Sequence, residues 1–443
     1  QKILNVAETL LTGEEATGKN TLDAIEALDY FSDQSLIPDP YPYFDGLRAA
    51  GPARIATSQN VLAITGYAEA LAVYKDPAMS SCVAVAGPFP PLPFTPAGPD
   101  IGAQIEEHRA QIPMAEHIVT MDGEQHARTR GLLNKLITPK RLSENEEFMW
   151  RLADQQLDTF LSRGHCEFME EYAKPFATLV VADLLGVPAE DHPQFRAVLS
   201  GEPLGGLGEE ETVAHNPLLW LEEKFAGYIT DRRADPRDDT LTELAQARYP
   251  DGSTPTVDEV VKVATFLFAA GQDTTTKLLS AAIRTLAERA DIQEKLRADR
   301  DLIPGFVEET LRLESPVKTH FRLAGKDTRI GDVPVPAGTV VMLLPGASNR
   351  DPRKFDDPND IRIDRKNVRE HVAFGRGSHS CLGAPLARAE GRISINRILD
   401  RMTNIRISEK DHGPEGNRHY DFEPTFIMRG LTSIHIEFDP VIT

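Results

Sequence analysis

The residues most able to do chemistry lie between Phe374 and Gly383, reading Phe-Gly-Arg-Gly-Ser-His-Ser-Cys-Leu-Gly. Cys381 stands just ahead of Ala384-Pro385-Leu386-Ala387-Arg388-Ala389-Glu390, a run rich in helix formers, with Pro385 suited to a first turn. A cysteine at a helix N-terminus meets unpaired backbone N–H groups and the positive end of the helix dipole. Both favour the thiolate, which is the metal-binding form. Gly375, Gly377 and Gly383 let the backbone turn tightly and approach a flat ligand, while Arg376 and His379 place donors around the same loop. For an isolated cysteine the competing reading is a core residue in a glycine-rich turn.

A second group lies in the longest helical pattern. Thr256-Val257-Asp258-Glu259 has the form of a capping box. Periodic apolar residues continue to about Arg289, which predicts a helix of ~33 residues and ~50 Å. Val263 to Gly271 is apolar nearly all round, so the middle of this helix is expected to be buried. There the chain reads Ala270-Gly271-Gln272-Asp273-Thr274-Thr275-Thr276. Glycine costs ~1 kcal/mol in a helix interior and each β-branched threonine a few tenths more, so the run needs a reason. Thr274 can bond back to the Ala270 carbonyl and open the helix locally. A buried acid beside a hydroxyl can hold and relay water-borne protons while excluding bulk water. A kink with satisfied polar groups is the structural alternative and is compatible with that role.

The surrounding elements are legible in outline. Residues 1–30 read as a polar N-terminal lead, and residues 31–443 as one domain. Pro38-Asp39-Pro40-Tyr41 leads into a helix, and β-like runs follow near 53–57 and 61–65, joined by a turn at 58–60. Six prolines between Gly87 and Pro99 forbid regular structure, and Phe89 and Phe94 lie among them. Asp122 to Leu142 reads as a strongly basic helix on which His126 and Arg130, four apart, share a face able to reach a pair of carboxylates. Its bland reading is a solvated basic face. Helical patterns run over 144–162 and 172–185, and a Gly- and Glu-rich loop over 201–211 precedes a helix to about Arg233. Glu309 and Arg312 stand three apart on a helix that Ser315-Pro316 ends. Val317 to Arg322 reads as a strand, where His320 suits a pocket wall better than a metal site. Short β-like runs recur over 425–438.

The chain of 443 residues, 41% of them hydrophobic, is long enough for a large core. Its 48 Lys and Arg against 68 Asp and Glu give a net charge of −20. This argues against a general binder of nucleic acid or anionic membrane. Three widely spaced cysteines form no disulfide framework and fit a reducing compartment. No stretch approaches the ~18–20 apolar residues of a membrane span, and the first residues lack a signal-peptide layout. A cytoplasmic monomer is the expectation.

The ten-residue Cys381 pattern resembles the cysteine-ligand loop of the haem-thiolate monooxygenases, the cytochrome P-450 superfamily, and specifically its soluble bacterial type. It fixes Phe374, Gly375, Gly377, Cys381 and Gly383 at set spacing. Ala270 to Thr274, the Glu309-x-x-Arg312 pair and the block from Met121 to Arg130 resemble further signatures of that family in the expected order. The resemblance covers about residues 31–438. It implies a mostly α fold with small β-sheets, a single triangular-prism domain, and haem b between the central helix and the Cys381 helix. Cys381 would be the axial iron ligand, and Ala270, Gly271, Phe374, Gly375 and Gly383 would lie against the haem. His126, Arg130 and Arg322 would meet the propionates, and His379 would be a further cofactor-binding residue. Asp273 and Thr274 would form the acid–alcohol pair that supplies protons to iron-bound oxygen, which argues against the peroxide-driven branch. Glu309, Arg312 and Arg365 would be structural supports. The 87–99 loop would cap the substrate cavity, and the 201–211 loop with its flanking helices would open and close over the entrance. The pocket candidates are Phe89, Phe94, Leu267, Phe268, Ala270, Val317 and His320. The implied reaction is insertion of one oxygen atom from O2 into a terpenoid, steroid or fatty acyl substrate. Electrons would come from a separate ferredoxin and reductase, docked on basic residues such as Arg128, Lys135, Lys140, Arg141 and Arg376. The reading from another class is a non-catalytic haem sensor or scavenger, which would need no acid–alcohol pair.

Overall fold

The computed structural model describes residues 25, 27–55, 59–198 and 218–441. The rest of the N-terminal lead, the turn at Ser58 and the 201–211 loop lie outside the described residues. Helices dominate. In chain order they are α1 (Tyr41–Ala50), α2 (Tyr67–Lys75), α3 (Gly102–His108), α4 (Gly123–Leu133), α5 (Pro139–Asp158), α6 (Lys174–Leu185), α7 (His192–Val198), α8 (Leu218–Ala234) and α9 (Thr240–Ala245). There follow α10 (Val257–Glu288), α11 (Ala290–Ala298), α12 (Ile303–Leu313), α13 (Pro345–Ser348), α14 (Ala384–Arg401) and α15 (Glu409–His412).

The sheets are small. Strands β1 (Ala53–Ile55), β2 (Leu62–Ile64), β3 (Met79–Ser80), β5 (His320–Ala324) and β8 (Val340–Leu343) form one sheet in the order β1-β2-β8-β5-β3. Only the β2–β8 pair in it is parallel. Strands β4 (His165–Glu167), β9 (Met402–Ile407) and β10 (His435–Pro440) form a second sheet, and β6 (Thr328–Ile330) pairs with β7 (Val333–Val335).

The central helix α10 begins at Thr256, whose hydroxyl accepts from the Glu259 N–H while the Glu259 carboxylate accepts from the Thr256 N–H. This is the predicted capping box, and the helix spans 32 residues. It packs against α6, α8 and α14. Phe268 is fully buried on it, between Phe195 and Phe225. The basic stretch read as one helix over 122–142 is two, α4 and α5. Thr138 caps α5, with Pro139 in its first turn, so the chain restarts there rather than continuing.

A helical core joins α5, α6, α10, α12 and α14 with residues of β9 and β10. A second core links α1, the central β5–β8 strands and the 426–428 segment. Ile25 and Tyr30, read as part of the lead, are buried there, and the Tyr30 hydroxyl donates to the Phe426 carbonyl at 3.0 Å.

Candidate active site

Cys381 occupies a closed loop. Its backbone N–H donates to the Phe374 carbonyl at 2.8 Å, and a 3-10 turn at Gly377–His379 precedes it. Gly375 and Gly377 have φ of 63° and 74°, and a Cβ on Gly377 would collide with the Tyr74 carbonyl, so the loop closes only with glycine there. Arg388 stacks on the Phe374 ring at 4.8 Å. Cys381 lies deep within the fold, yet its side chain keeps exposed surface, so it borders an internal space. The expectation that the helix terminus would favour the thiolate is only half met. Burial pushes the thiol up, outweighing the Gly383 and Ala384 N–H groups and Arg130, which all pull it down. A cation at the sulfur would reverse that balance, because a coordinating thiol loses its proton.

On α10, Ala270 is also exposed although Leu267, Phe268 and Gln272 around it are buried. The Thr274 hydroxyl donates to the Ala270 carbonyl at 2.6 Å, the predicted back-bond. Gly271 serves helix packing: a Cβ there would sit 3.0 Å from Val181 of α6, so the space it leaves is filled by a helix rather than held for a ligand. Asp273 is half-buried, and Lys277, one turn on, reaches its carboxylate at 2.5 Å. Thr275 points the other way, and its hydroxyl donates to the buried Glu390 of α14 at 3.4 Å. Burial holds that carboxyl well above the ordinary range, with the Thr275 hydroxyl opposing.

Four cationic or titratable donors converge beside the Cys381 loop from α4, β5 and the loop itself. His126 and His379 rings are 4.0 Å apart. Burial, with Arg322, His126 and Arg130 adding repulsion, presses His379 down to about 3. His126 is lowered by burial and then by Arg130, and its Nε2 is buried with no partner among the described residues. The Arg130 guanidinium has no hydrogen-bond or ion-pair partner there either, and Arg322 donates only to the Phe321 carbonyl at 2.7 Å. The Asp122 carboxylate lies 4.0 Å from His379 Nε2, but neither Arg130 nor Arg322 has an anion paired with it among the described residues. Tyr74, which sequence reasoning passed over, adds a buried unpartnered hydroxyl facing Arg322 and Arg376. An aromatic next to a basic residue gave no signal of it.

The Glu309 carboxylate is fully buried. It accepts from Arg312 at 2.7 and 2.8 Å, from Arg365 at 2.9 Å and from the Arg362 N–H at 2.9 Å. Arg312 also donates to the carbonyls of Asn349, Pro358 and Asp360. The three residues named from sequence therefore meet in one place. The pocket candidates are more scattered. Val317 bridges Met428, and the half-buried His320 ring lies 5.4 Å from Tyr74. Phe89 is 39% exposed and lies edge-on to Phe31, while the Phe94 ring is tilted against His108 with centroids 5.0 Å apart. Phe268 corrects the expectation: its ring is spent on the α7–α8 contact and has no exposed surface to offer a substrate.

Residues 221–412 match the family described as Cytochrome P450. The chain is 32% identical to cytochrome P450 144 of Mycobacterium tuberculosis over 399 residues, covering 87% of this chain and 88% of that protein. The chain belongs to the cytochrome P450 family. It is 59% identical to the substrate-free structure of Mycobacterium marinum cytochrome P450 CYP150A6, with a TM-score of 0.89 over 94% of this chain and 100% of that one. P450BioI, solved with an acyl carrier protein bearing hexadec-9Z-enoic acid, is 28% identical with a TM-score of 0.77, over 91% of this chain and 99% of that one. CYP109E1 of Bacillus megaterium, solved with corticosterone, is 27% identical with a TM-score of 0.74, over 90% and 98%. The protein is therefore a monooxygenase of the P450 type with a haem-iron cofactor, and its fold is the mostly α P450 domain. Among the described residues, no helix is long and apolar enough to cross a membrane.

The residues present fit that cofactor. His126 and Arg130, without partners among the described residues, and Arg322, bonded only to a backbone carbonyl, suit its two carboxylates, and the inward-facing sulfur of Cys381 suits its iron.

Proposed function

We propose that the protein inserts one oxygen atom of O2 into a hydrophobic small molecule, using haem b whose iron the Cys381 thiolate would hold. The observation that carries this reading is the pairing of accessible surface at Cys381, which lies deep within the fold, and at Ala270, set among the buried Leu267, Phe268 and Gln272. When bound, the haem supplies binding and reductive activation of O2, and its thiolate ligand favours cleavage of the oxygen–oxygen bond. The remaining work falls to the chain. His126, Arg130, Arg322 and His379 hold the propionates and so orient the ring. Thr274, fixed by its bond to the Ala270 carbonyl, presents its oxygen as acceptor for a water, and the Asp273 carboxylate would accept a proton from outside and hand it on through that water. The buried apolar faces of α6 and α10 keep bulk water from that path.

The substrate is a terpenoid, steroid or fatty acyl chain. Apolar groups dominate the candidate pocket, and Phe31, Phe89, Phe321 and Phe426 form an aromatic cluster beside it. The fatty acyl and steroid ligands of P450BioI and CYP109E1 lie in the same range. An optical titration of the haem band against panels of the three classes tests this. Saturable loss of the iron-bound water with one class supports the reading, and no response to any class refutes it.

Two electrons per turnover come from a ferredoxin-type protein that docks near α4 and α5. Much of the basic surface is already engaged: Arg141 pairs with Glu243, Lys135 donates to the Arg248 carbonyl, and Arg376 donates to the carbonyls of Arg369 and His371. Lys140, 82% exposed, is the freest cation of the set. Charge reversal at Lys140 and Lys135 should slow electron transfer and flatten its salt dependence, and unchanged behaviour would remove this surface from docking.

A further inference from the structure

Lys277 is the residue of α10 that neither helix packing nor the capping of the fold explains. Its side chain is 1% exposed, and its ammonium lies 2.5 Å from Asp273 Oδ1 and 2.8 Å from Glu423 Oε2. The lysine stem lies against Gly430, where a Cβ would come within 2.6 Å of Cγ and 2.8 Å of Cε. A buried ammonium is costly unless fully paired, and an apolar residue of similar volume commonly serves stability as well or better. Stability alone therefore gives a weak account of a lysine here.

The connections of Glu423 give a better one. Its N–H donates to the Gly430 carbonyl at 3.0 Å, and Phe422 bridges Leu431, so Glu423 and Gly430 face each other across a loop. The tip of that loop, Phe426 to Met428, is buried against the aromatic cluster, and Met428 bridges Val317. A continuous chain of contacts thus runs from the substrate side, through Glu423 and Lys277, to the carboxylate adjacent to Thr274.

We propose that Lys277 and Glu423 are positioning residues for proton delivery: Lys277 fixes the Asp273 carboxylate, and Glu423 ties that hold to the 422–431 loop beside the substrate. The proposal rests on the monooxygenase reading given above. The ammonium keeps its three protons throughout. The Asp273 carboxylate takes a proton from water on the outer side and passes one to water on the oxygen side, returning to its starting charge, so the lysine sets the direction of the carboxylate without entering the transfer. A substrate that packs against Phe426 to Met428 pulls on Glu423 and so adjusts Asp273 when oxygen is to be activated. Glu423 suits the outer arm because its carboxylate meets the Lys277 ammonium at 2.8 Å while its own N–H is tied to Gly430 across the loop.

The test uses the haem-loaded protein and the variants Lys277→Met, Lys277→Arg and Glu423→Gln. Three quantities are read: the infrared C–O stretch of the reduced carbon monoxide complex, substrate affinity from the haem band, and product formed per reductant consumed. The first responds to polar groups around the distal site and needs no turnover. Lys277→Met should shift and broaden the C–O band and lower the product ratio at least about fivefold, with substrate affinity within about twofold. Lys277→Arg should restore most of both, and Glu423→Gln should move both in the same direction by about twofold. Wild-type band and product ratio in Lys277→Met would overturn the proposal. If that variant does not fold, wild-type values in Glu423→Gln would overturn it equally. If the wild-type protein forms no product with any substrate, the monooxygenase reading fails, and the C–O band alone then decides whether Lys277 shapes the site.

Discussion

Replacing Glu309 by glutamine keeps the shape of the side chain and removes its charge. Among the described residues this carboxylate, fully buried, is the only counter-charge within bonding distance of both Arg312 and Arg365, which are 0% and 3% exposed. Breaking a buried pair by removing one partner costs ~3–5 kcal/mol, because a buried charge is left uncompensated. The carbonyl acceptors of Arg312 at Asn349, Pro358 and Asp360 soften the loss and set the expectation near ~3 kcal/mol. Against a total stability of ~5–15 kcal/mol this is a large fraction. Urea unfolding followed by far-ultraviolet circular dichroism should show a lower midpoint with unchanged slope. The pH dependence provides a second check. Burial opposes ionisation of Glu309, but Arg312, the Arg362 N–H and Arg365 outweigh it and hold the carboxyl below its usual value. Its stabilisation is therefore full above the unfolded pKa of ~4.3 and lost as pH falls through the lower folded value. Glu309→Gln should be flat through that window. A loss under ~1 kcal/mol, with wild-type pH dependence, would refute the buried-charge argument.

Thr274→Ala should keep consuming reductant while yielding several-fold less product per electron pair, because the hydroxyl held over Ala270 is gone; equal yield would remove Thr274 from proton delivery. Gly377→Ala should lower haem retention and cost at least ~1–2 kcal/mol, since it forces a side chain into a positive-φ turn against the Tyr74 carbonyl. Glu308 is held at about 2, where bonds from His371 and Arg388 outweigh its burial. It should contribute ~3 kcal/mol that is present above the unfolded pKa and lost between pH ~4.3 and ~2, a slope absent from Glu308→Gln in acid titration of unfolding.

The parts legible in the sequence were those fixed by local rules. The Thr256–Glu259 capping box, the Thr274 back-bond and the Glu309–Arg312 spacing each depend on residues within four positions, and each is present as read. The break between α4 and α5 was missed because basic composition carried the pattern through Thr138-Pro139, where proline at a first turn signals a new start. Long-range partners were harder. Gly271 was expected to lie against the haem, but Val181, ninety residues earlier in the chain, occupies the side its missing Cβ leaves open. Phe268 looked like a pocket wall until Phe195 and Phe225 claimed its ring. The state of the Cys381 thiol could not be weighed from helix position alone, since burial, a property of the whole fold, is the larger effect. Lys277 stood in plain view one turn after Asp273, but its second partner, Glu423, lies near the opposite end of the chain.

The most direct test of the central claim is the reduced carbon monoxide difference spectrum of the haem-loaded protein beside Cys381→Ser. The wild type should show the long-wavelength band of a thiolate-ligated complex, and the variant should lose it while Cys82 and Cys166 remain buried and inert. A wild type without that band, or a variant that keeps it, would mean that Cys381 is not the iron ligand.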